Sequence, residues 1–141
     1  MFNRNKELFL FDIFVAVLKI NNTVERFNNA QELLRNYNAW DSVIREFGII
    51  GEAANNLIKS GVLDESSRVV VDFRNLLIHN YFGIDPEEVW DVVKSDLPIF
   101  KELIVEKLLK IDSELKSELI EAYIEENIFL VFIKQALELL K

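Results

Sequence analysis

The chain has 141 residues, half of them hydrophobic and 28% charged, a composition that predicts one globular domain and excludes a disordered or fibrous protein. It contains no cysteine, which excludes disulfides and thiolate metal sites and is typical of a cytoplasmic protein. The net charge of −8 repels nucleic acid, so any nucleic-acid site must gather its basic groups locally.

An apolar stretch near the N-terminus, LFLFDIFVAVL at 8–18, predicts a core helix over residues 6–20. The stretch is shorter than the roughly 20 apolar residues that cross a bilayer, and Asp12 interrupts it, so we predict no membrane partner. Thr23 is expected to cap a second helix that ends at about Asn36.

The segment from about residue 37 onward predicts one long amphipathic helix that ends at Gly61. Gly48 and Gly51 lie inside it, and a glycine in a helix interior costs roughly 1 kcal/mol relative to alanine. Two such glycines indicate the close approach of another helix, and a merely tolerated cost is the alternative.

The boundaries of the central helices carry local signals. Ser66 or Ser67 is expected to cap the fourth helix. A DPEE motif predicts the start of the next one, with Asp85 as N-cap and Pro86 at the first position, where its missing N–H costs nothing. Pro98 is then expected to break or kink that helix before it continues to about residue 110.

The last 30 residues begin with a capping DSE motif and are expected to continue as helix. They include six consecutive apolar residues, IFLVFI, at 128–133. A helix that is apolar on all sides is buried, so we predict that this run lies in the core, with a subunit interface as the alternative. We divide the chain into a bundle over 1–110 and a helical extension over 111–141, packed on the same domain or on a dimer partner.

The stretch DFRNLLIHNYFG at 72–83 holds the chain's one histidine. In an ideal helix Arg74 and Tyr81 lie about 20° apart, whereas Arg74 and His79 lie about 140° apart. Asn75 and His79 are neighbours one turn apart. From residue types alone, His79 is as well explained by a satisfied structural role, and Tyr81 by a place in the core or an interface.

Arg74 requires a partner, because an unpaired charge among apolar side chains is costly. That partner is Asp72, Glu52 or a bound phosphate. There is no glycine-rich phosphate loop. One histidine and no cysteine argue against a transition-metal site, and we predict neither a metal nor another cofactor.

Three blocks of the sequence resemble one known family in order and spacing. RNLLIHNY at 74–81 matches the R-x-x-x-x-H-x-Y pattern of the HEPN superfamily. Together with DSVIREFGIIGEAA at 41–54 and VWDVVKSDLP at 89–98, it is similar to the HepT toxins, the partners of MntA nucleotidyltransferase antitoxins. The resemblance covers roughly residues 6–108.

The resemblance implies an all-α fold, an antiparallel HEPN-type helical bundle with an additional C-terminal helical segment, that forms a homodimer or larger assembly. It implies a metal-independent endoribonuclease acting on RNA, the toxin of a type VII toxin–antitoxin system. Arg74 and His79 would be the catalytic pair and Asn75 a supporting residue of the active site. Tyr81 would be the residue that an MntA-like nucleotidyltransferase modifies with AMP.

These residue types suit metal-free RNA cleavage. The reaction needs a base, an acid and a cation for the charge on the phosphorane, and histidine and arginine supply these groups. A two-fold dimer would bring two of each to one cleft. Arg45, Lys59 and Arg68 are candidates for a locally basic groove. The alternatives are a non-catalytic helical partner module of a nucleotidyltransferase, in which Tyr81 alone is used chemically, and a plain structural oligomer.

Overall fold

The computed structural model describes residues 4–80 and 83–141. Within these ranges the chain forms helices and no strand, so the predicted all-α fold is confirmed. The α-helices are α1 Arg4–Val24, α2 Ala30–Arg35, α3 Tyr37–Lys59, α4 Arg68–His79, α5 Pro86–Asp91, α6 Leu97–Leu109, α7 Ser113–Glu126 and α8 Val131–Glu138. Each of these helices is too short or too polar to span a lipid bilayer.

The first helix boundary differs from the prediction. Thr23 lies in the last turn of α1 and does not cap α2. The N-cap is Asn29, whose side chain accepts a 2.9 Å hydrogen bond from the N–H of Glu32. The Glu32 carboxylate in turn accepts one from the N–H of Asn28. These two bonds satisfy N–H groups that have no partner inside the helix, which explains why the chain leaves the helical conformation after Val24 and re-enters it only at Ala30.

A layer of fully buried apolar side chains from α1, α3 and α6 forms the core, and it includes Phe11, Ile13, Phe47, Ile50, Leu57, Ile104 and Leu108. The long helix α3 packs along both α1 and α4, and α6 covers the other side of α1. As predicted, α3 is one continuous helix, and Gly61 follows its end with a φ of 82°, a conformation that glycine adopts without strain.

Helix α4 runs antiparallel to α3 and carries most of the candidate residues. A short 3-10 turn, Glu65–Ser67, precedes it, and Asp64 caps that turn by accepting from the N–H of Ser66 at 2.9 Å. Ser67 occupies the N-cap position of α4 but makes no capping bond, so neither predicted serine caps this helix. The ring of Phe73 packs edge-on against Phe47 of α3, with centroids 5.0 Å apart.

The next helix begins as predicted. Asp85 accepts a 3.0 Å hydrogen bond from the N–H of Glu87, and Pro86 is the first residue of α5. The predicted break at Pro98 takes another form: a π-helical segment, Val92–Asp96, joins α5 to α6 without a turn. Pro98 lies in the first turn of α6, directly after this π-helical segment.

The C-terminal segment packs against α1. The Tyr123 hydroxyl of α7 donates a 2.8 Å hydrogen bond to the Asp12 carboxylate, and the Tyr123 ring stacks on Phe11 with centroids 5.0 Å apart. From α8, which also contacts α1, Ile133 and Leu137 are fully buried.

The run IFLVFI at 128–133 is not a buried helix, and that part of the prediction is wrong. Asn127 ends α7, and its side-chain amide donates to the carbonyl of Tyr123 at 2.9 Å. The chain then turns and restarts as α8 at Val131. The turn directs Phe129 outward, with 94% of its surface exposed, whereas Ile133 is fully buried. The physical reason is that a turn breaks the helical period, so these residues do not share one buried environment.

Candidate functional site

Three of the four predicted site residues lie on the second half of α4, and Tyr81 lies outside the described residues. Arg74 and Asn75 are half-buried, whereas His79 is exposed and is the last residue of the helix. After it, the chain leaves the helical conformation at Asn80, whose N–H donates to the carbonyl of Leu76 at 2.9 Å.

Arg74 is held from two sides. Its aliphatic stem lies directly against the backbone of Gly51 on α3. Its Nη1 donates a 3.1 Å hydrogen bond to the side-chain oxygen of Asn75. Its Nε is buried, with no hydrogen-bond partner among the described residues. The cost of burying this unsatisfied donor must be offset by other contacts. The packing of the arginine stem against α3 therefore contributes more to holding the guanidinium than its polar contacts do.

Two of the three predicted partners of Arg74 do not pair with it. In the described ranges, neither Asp72 nor Glu52 forms an ion pair with its guanidinium. Its hydrogen-bond partner, Asn75, is neutral, so no carboxylate among the described residues is bound to its positive charge. Of the alternatives derived from the sequence, a phosphate bound by Arg74 therefore remains.

Within residues 4–80 and 83–141, no hydrogen bond joins His79 to Arg74. This agrees with the angle of about 140° that an ideal helix sets between them. Asn75 lies between the two: it accepts from Arg74, and it lies one turn before His79 on the same face of α4. The structure thus brings Arg74 and Asn75 together, and it leaves His79 as a separate exposed group one turn away.

Arg68 shares the face of Asn75 and His79, because it lies two turns before Asn75. It donates to Asn55 at 3.3 Å and pairs with Glu65 at 3.2 Å. The other predicted basic residues lie on α3. Arg45 pairs with the buried Glu46 at 3.5 Å and lines a different cavity, and Lys59 is an exposed residue at the end of α3.

An acidic groove of about 600 Å³ runs between α4 and α5, on the side of α4 opposite Arg74. Its apolar floor includes Val69, Phe73 and Leu76. Six carboxylates line it: Asp72, Asp85, Glu87, Glu88, Asp91 and Asp96. Such a concentration of negative charge repels a phosphodiester backbone. A polyanion is therefore expected to approach α4 from the side of Arg74 and Asn75.

A second polar cavity, of about 170 Å³, lies between α1, α3 and α7. Glu46 of α3 lines it and is 3% exposed. Burial raises the pKa of this carboxyl group, and the smaller opposing effects of Lys19 and Arg45 lower it. The sequence did not single out Glu46, because an acidic residue on a long amphipathic helix ordinarily faces solvent.

Comparisons with known proteins agree with the resemblance seen in the sequence. The family model for "Ribonuclease HepT-like" proteins matches residues 13–108. "Putative RNase MJ1380" of Methanocaldococcus jannaschii is 36% identical over 106 residues, which cover 72% of this chain and 94% of the relative. "Putative RNase MJ1216" of the same organism is 30% identical over 82% of this chain and 95% of its own length.

A third relative is "Probable ribonuclease HepT" of Thermococcus cleftensis, 40% identical over 63 residues, or 43% of this chain and 57% of its own. No solved structure matches the chain. The family model spans well over half of the chain, from the middle of α1 to the end of α6, and includes α4 with Arg74, Asn75 and His79. The chain therefore belongs to the HepT-like ribonuclease family of HEPN-type proteins.

Proposed function

We propose that this protein is a metal-independent endoribonuclease in which Arg74 and His79 are the catalytic pair and Asn75 supports them. The observation that carries the proposal is the state of Arg74, a half-buried guanidinium whose hydrogen-bond partner is the neutral Asn75. A positive charge held without a bound carboxylate is suited to an anionic substrate. The family membership gives the class of that substrate, RNA.

The proposed reaction uses the substrate's own 2′-hydroxyl as nucleophile. A base takes the proton of this hydroxyl, its oxygen attacks phosphorus, and the bond from phosphorus to the 5′-oxygen breaks. The leaving oxygen takes up a proton, so the products are a 2′,3′-cyclic phosphate and a 5′-hydroxyl. His79 takes the proton from the 2′-hydroxyl and delivers a proton to the leaving oxygen, because an imidazole can both accept and donate one. Arg74 stabilises the negative charge that develops on the phosphorane oxygens.

The active site is proposed to form across a homodimer or a larger homo-oligomer. One chain offers a single histidine, and that histidine makes no hydrogen bond to Arg74 in the described part of the chain. A two-fold axis near the end of α4 would bring Arg74 and His79 of both subunits to one shared cleft. Ile78 supports this placement: it lies one turn after Arg74 and is 52% exposed, an apolar surface suited to a contact between subunits.

The biological role proposed is that of a toxin in a type VII toxin–antitoxin pair, acting in the cytoplasm. An MntA-like nucleotidyltransferase would silence it by transferring AMP to Tyr81. The division into a bundle over 1–110 and an extension over 111–141 also remains a prediction, and it is supported by the family match, which ends at residue 108.

The decisive experiment compares RNA cleavage by wild type, Arg74→Ala and His79→Ala, with a metal chelator present throughout. Each substitution is expected to lower cleavage by about 10²-fold or more while helicity stays unchanged, because general acid–base and charge-stabilising groups have effects of this size. Sedimentation at micromolar concentration is expected to give a dimer or larger species. Wild-type cleavage by a folded His79→Ala protein would show that His79 is not catalytic, whereas no cleavage by wild type itself would support the alternative, a non-catalytic partner module of a nucleotidyltransferase.

A further inference from the structure

Helices α3 and α4 approach each other closely at Gly51, where the stem of Arg74 lies on the glycine backbone. A Cβ atom at position 51 would lie 2.3 Å from the Cβ of Arg74, 2.5 Å from its Cγ and 3.1 Å from its Cδ. The first two distances are far inside van der Waals contact. Since one of the atoms is the Cβ of Arg74, a new rotamer of the arginine would not relieve the collision. Any residue other than glycine must therefore displace the arginine or part the two helices.

The neighbouring contacts leave α4 little room to move. Toward the N-terminus of α3, Phe47 packs edge-on against Phe73 with centroids 5.0 Å apart. Toward its C-terminus, Asn55 accepts a 3.3 Å hydrogen bond from Arg68. These contacts lie on either side of Gly51 along α3, so α4 is fixed at the level of Arg74. Gly51 then determines how closely the arginine stem approaches α3 and which part of the guanidinium is open to a substrate.

Gly48 offers a natural comparison, because it lies one turn earlier on the same helix. A Cβ atom built on Gly48 would meet no atom within 4 Å. An alanine at either position gains the same intrinsic helix stability. The two glycines therefore differ in what they contact, and only Gly51 contacts a candidate catalytic residue.

We infer that Gly51 is a positioning residue for Arg74, an inference that rests on the proposed function. Gly51 lets the arginine stem lie against the backbone of α3, and this placement buries Nε. The outer Nη edge, oriented by the hydrogen bond to Asn75, is then presented to the scissile phosphate. A side chain at position 51 would move that edge by an ångström or more. A displacement of this size is enough to cost about 10²-fold in rate at a preorganised site.

The test compares Gly51→Ala with Gly48→Ala in RNA cleavage. Gly48→Ala is expected to cleave within about twofold of wild type, and its melting temperature is expected to rise by about 2–4 °C from the gain in helix propensity. Gly51→Ala is expected to lose at least tenfold in kcat and to melt at a lower temperature than wild type. In an Arg74→Gly background, which lacks the three atoms nearest to the new Cβ, Gly51→Ala is expected to cause little further loss of activity. A further loss as large as in the wild-type background would show general damage and overturn the inference.

A readout independent of cleavage is the NMR signal of the Arg74 Nε–H, assigned by its absence in Arg74→Lys. This buried group is expected to give a protected signal that Gly51→Ala shifts and Gly48→Ala leaves in place. An unchanged signal together with unchanged kcat in Gly51→Ala would overturn the inference. If wild type itself does not cleave RNA, the proposed function is wrong, and the NMR comparison still decides whether Gly51 sets the position of Arg74.

A second variant covers the case in which Gly51→Ala fails to fold. The exchange Gly51→Ala/Arg74→Gly places a Cβ atom on α3 in place of the one on α4 and removes the three atoms nearest to the new Cβ. It is expected to fold and to melt above Gly51→Ala, with cleavage lost because the arginine is gone. A double variant that melts no higher than Gly51→Ala would show that the contact between these residues is not the cause, and would overturn the inference.

Discussion

Arg74 donates a hydrogen bond from Nη1 to the side-chain oxygen of Asn75 over 3.1 Å, although the two residues are consecutive on α4. An ideal helix directs such neighbours about 100° apart, so the long arginine side chain bends toward the face of Asn75. That face also carries His79, one turn later. The amide thus binds the arginine without neutralising its charge, whereas a carboxylate at position 75 would neutralise it.

Substitutions of Asn75 distinguish its role in orienting Arg74 from the importance of its being uncharged. Asn75→Ala is expected to lower kcat/KM for RNA cleavage by roughly tenfold, through loss of a hydrogen bond to a charged group. Asn75→Asp is expected to lower it further, because the carboxylate would pair with Arg74 and repel the RNA backbone. The measurement is kcat/KM for both variants at two salt concentrations. An Asn75→Asp enzyme more active than Asn75→Ala would contradict the role assigned to this amide.

Tyr81→Phe tests the proposed regulation. The variant is expected to keep most of the cleavage activity and to resist silencing by AMP transfer from the nucleotidyltransferase partner. The physical reason is that AMP esterified to this hydroxyl would add negative charge that repels the RNA backbone, and phenylalanine has no hydroxyl to modify. Mass spectrometry after incubation with partner and ATP gives the site. Added mass on another residue, with silencing as effective as in wild type, would show that Tyr81 is not the regulatory residue.

The boundaries that follow from local chemistry were the ones that the sequence predicted best. The cap at Asp85, Pro86 in the first turn of α5 and the end of α3 before Gly61 each depend on one or two adjacent residues, and all three are confirmed. Thr23 was a plausible cap by the same logic. The cap is instead Asn29, which is reinforced by the reciprocal bond from the N–H of Asn28 to the Glu32 carboxylate. Residue type alone does not show which of the two candidate caps is the more stable.

Tertiary placement could not be predicted from local pattern. Gly48 and Gly51 look alike in sequence, yet only Gly51 meets another helix, because which face of α3 receives α4 depends on the whole bundle. Phe129 belongs to an apolar run that looked like core, and it is exposed because α7 ends three residues before it. The candidate site shows the same division. The sequence motif found Arg74, Asn75 and His79, but not the packing that orients the arginine.

Tyr123→Phe tests how strongly the C-terminal segment is fixed to α1. Burial, followed by the neighbouring Asp12 carboxylate, raises the pKa of this phenol, so it remains a donor throughout the neutral range. Removing a hydrogen bond to a charged group costs about 2 kcal/mol, which predicts a fall in melting temperature of about 4–8 °C. Tyr37→Phe, at a 71% exposed tyrosine, is the control and is expected to change nothing. Equal melting temperatures for the two variants would show that the bond to Asp12 contributes nothing to stability.

Glu46 gives a prediction about pH, because it is a carboxyl group with 3% exposure whose pKa burial raises above its ordinary value of 4.5. The folded protein therefore binds this proton more tightly than the unfolded chain does. Linkage then requires that stability falls as the pH rises from the ordinary value to the raised one. The destabilisation is absent below pH 4.5, and it is complete once the folded-state pKa has been passed.

Glu46→Gln keeps the shape of the side chain and removes its charge, so it is expected to remove this pH dependence. The variant should melt close to wild type at pH 4, and its melting temperature should exceed that of wild type increasingly as the pH approaches 7. Glu52→Gln on the same helix removes the same charge from an exposed position and controls for net charge. A Glu46→Gln protein that melts below wild type at pH 7 would mean that the 3.5 Å ion pair with Arg45 outweighs the cost of burial.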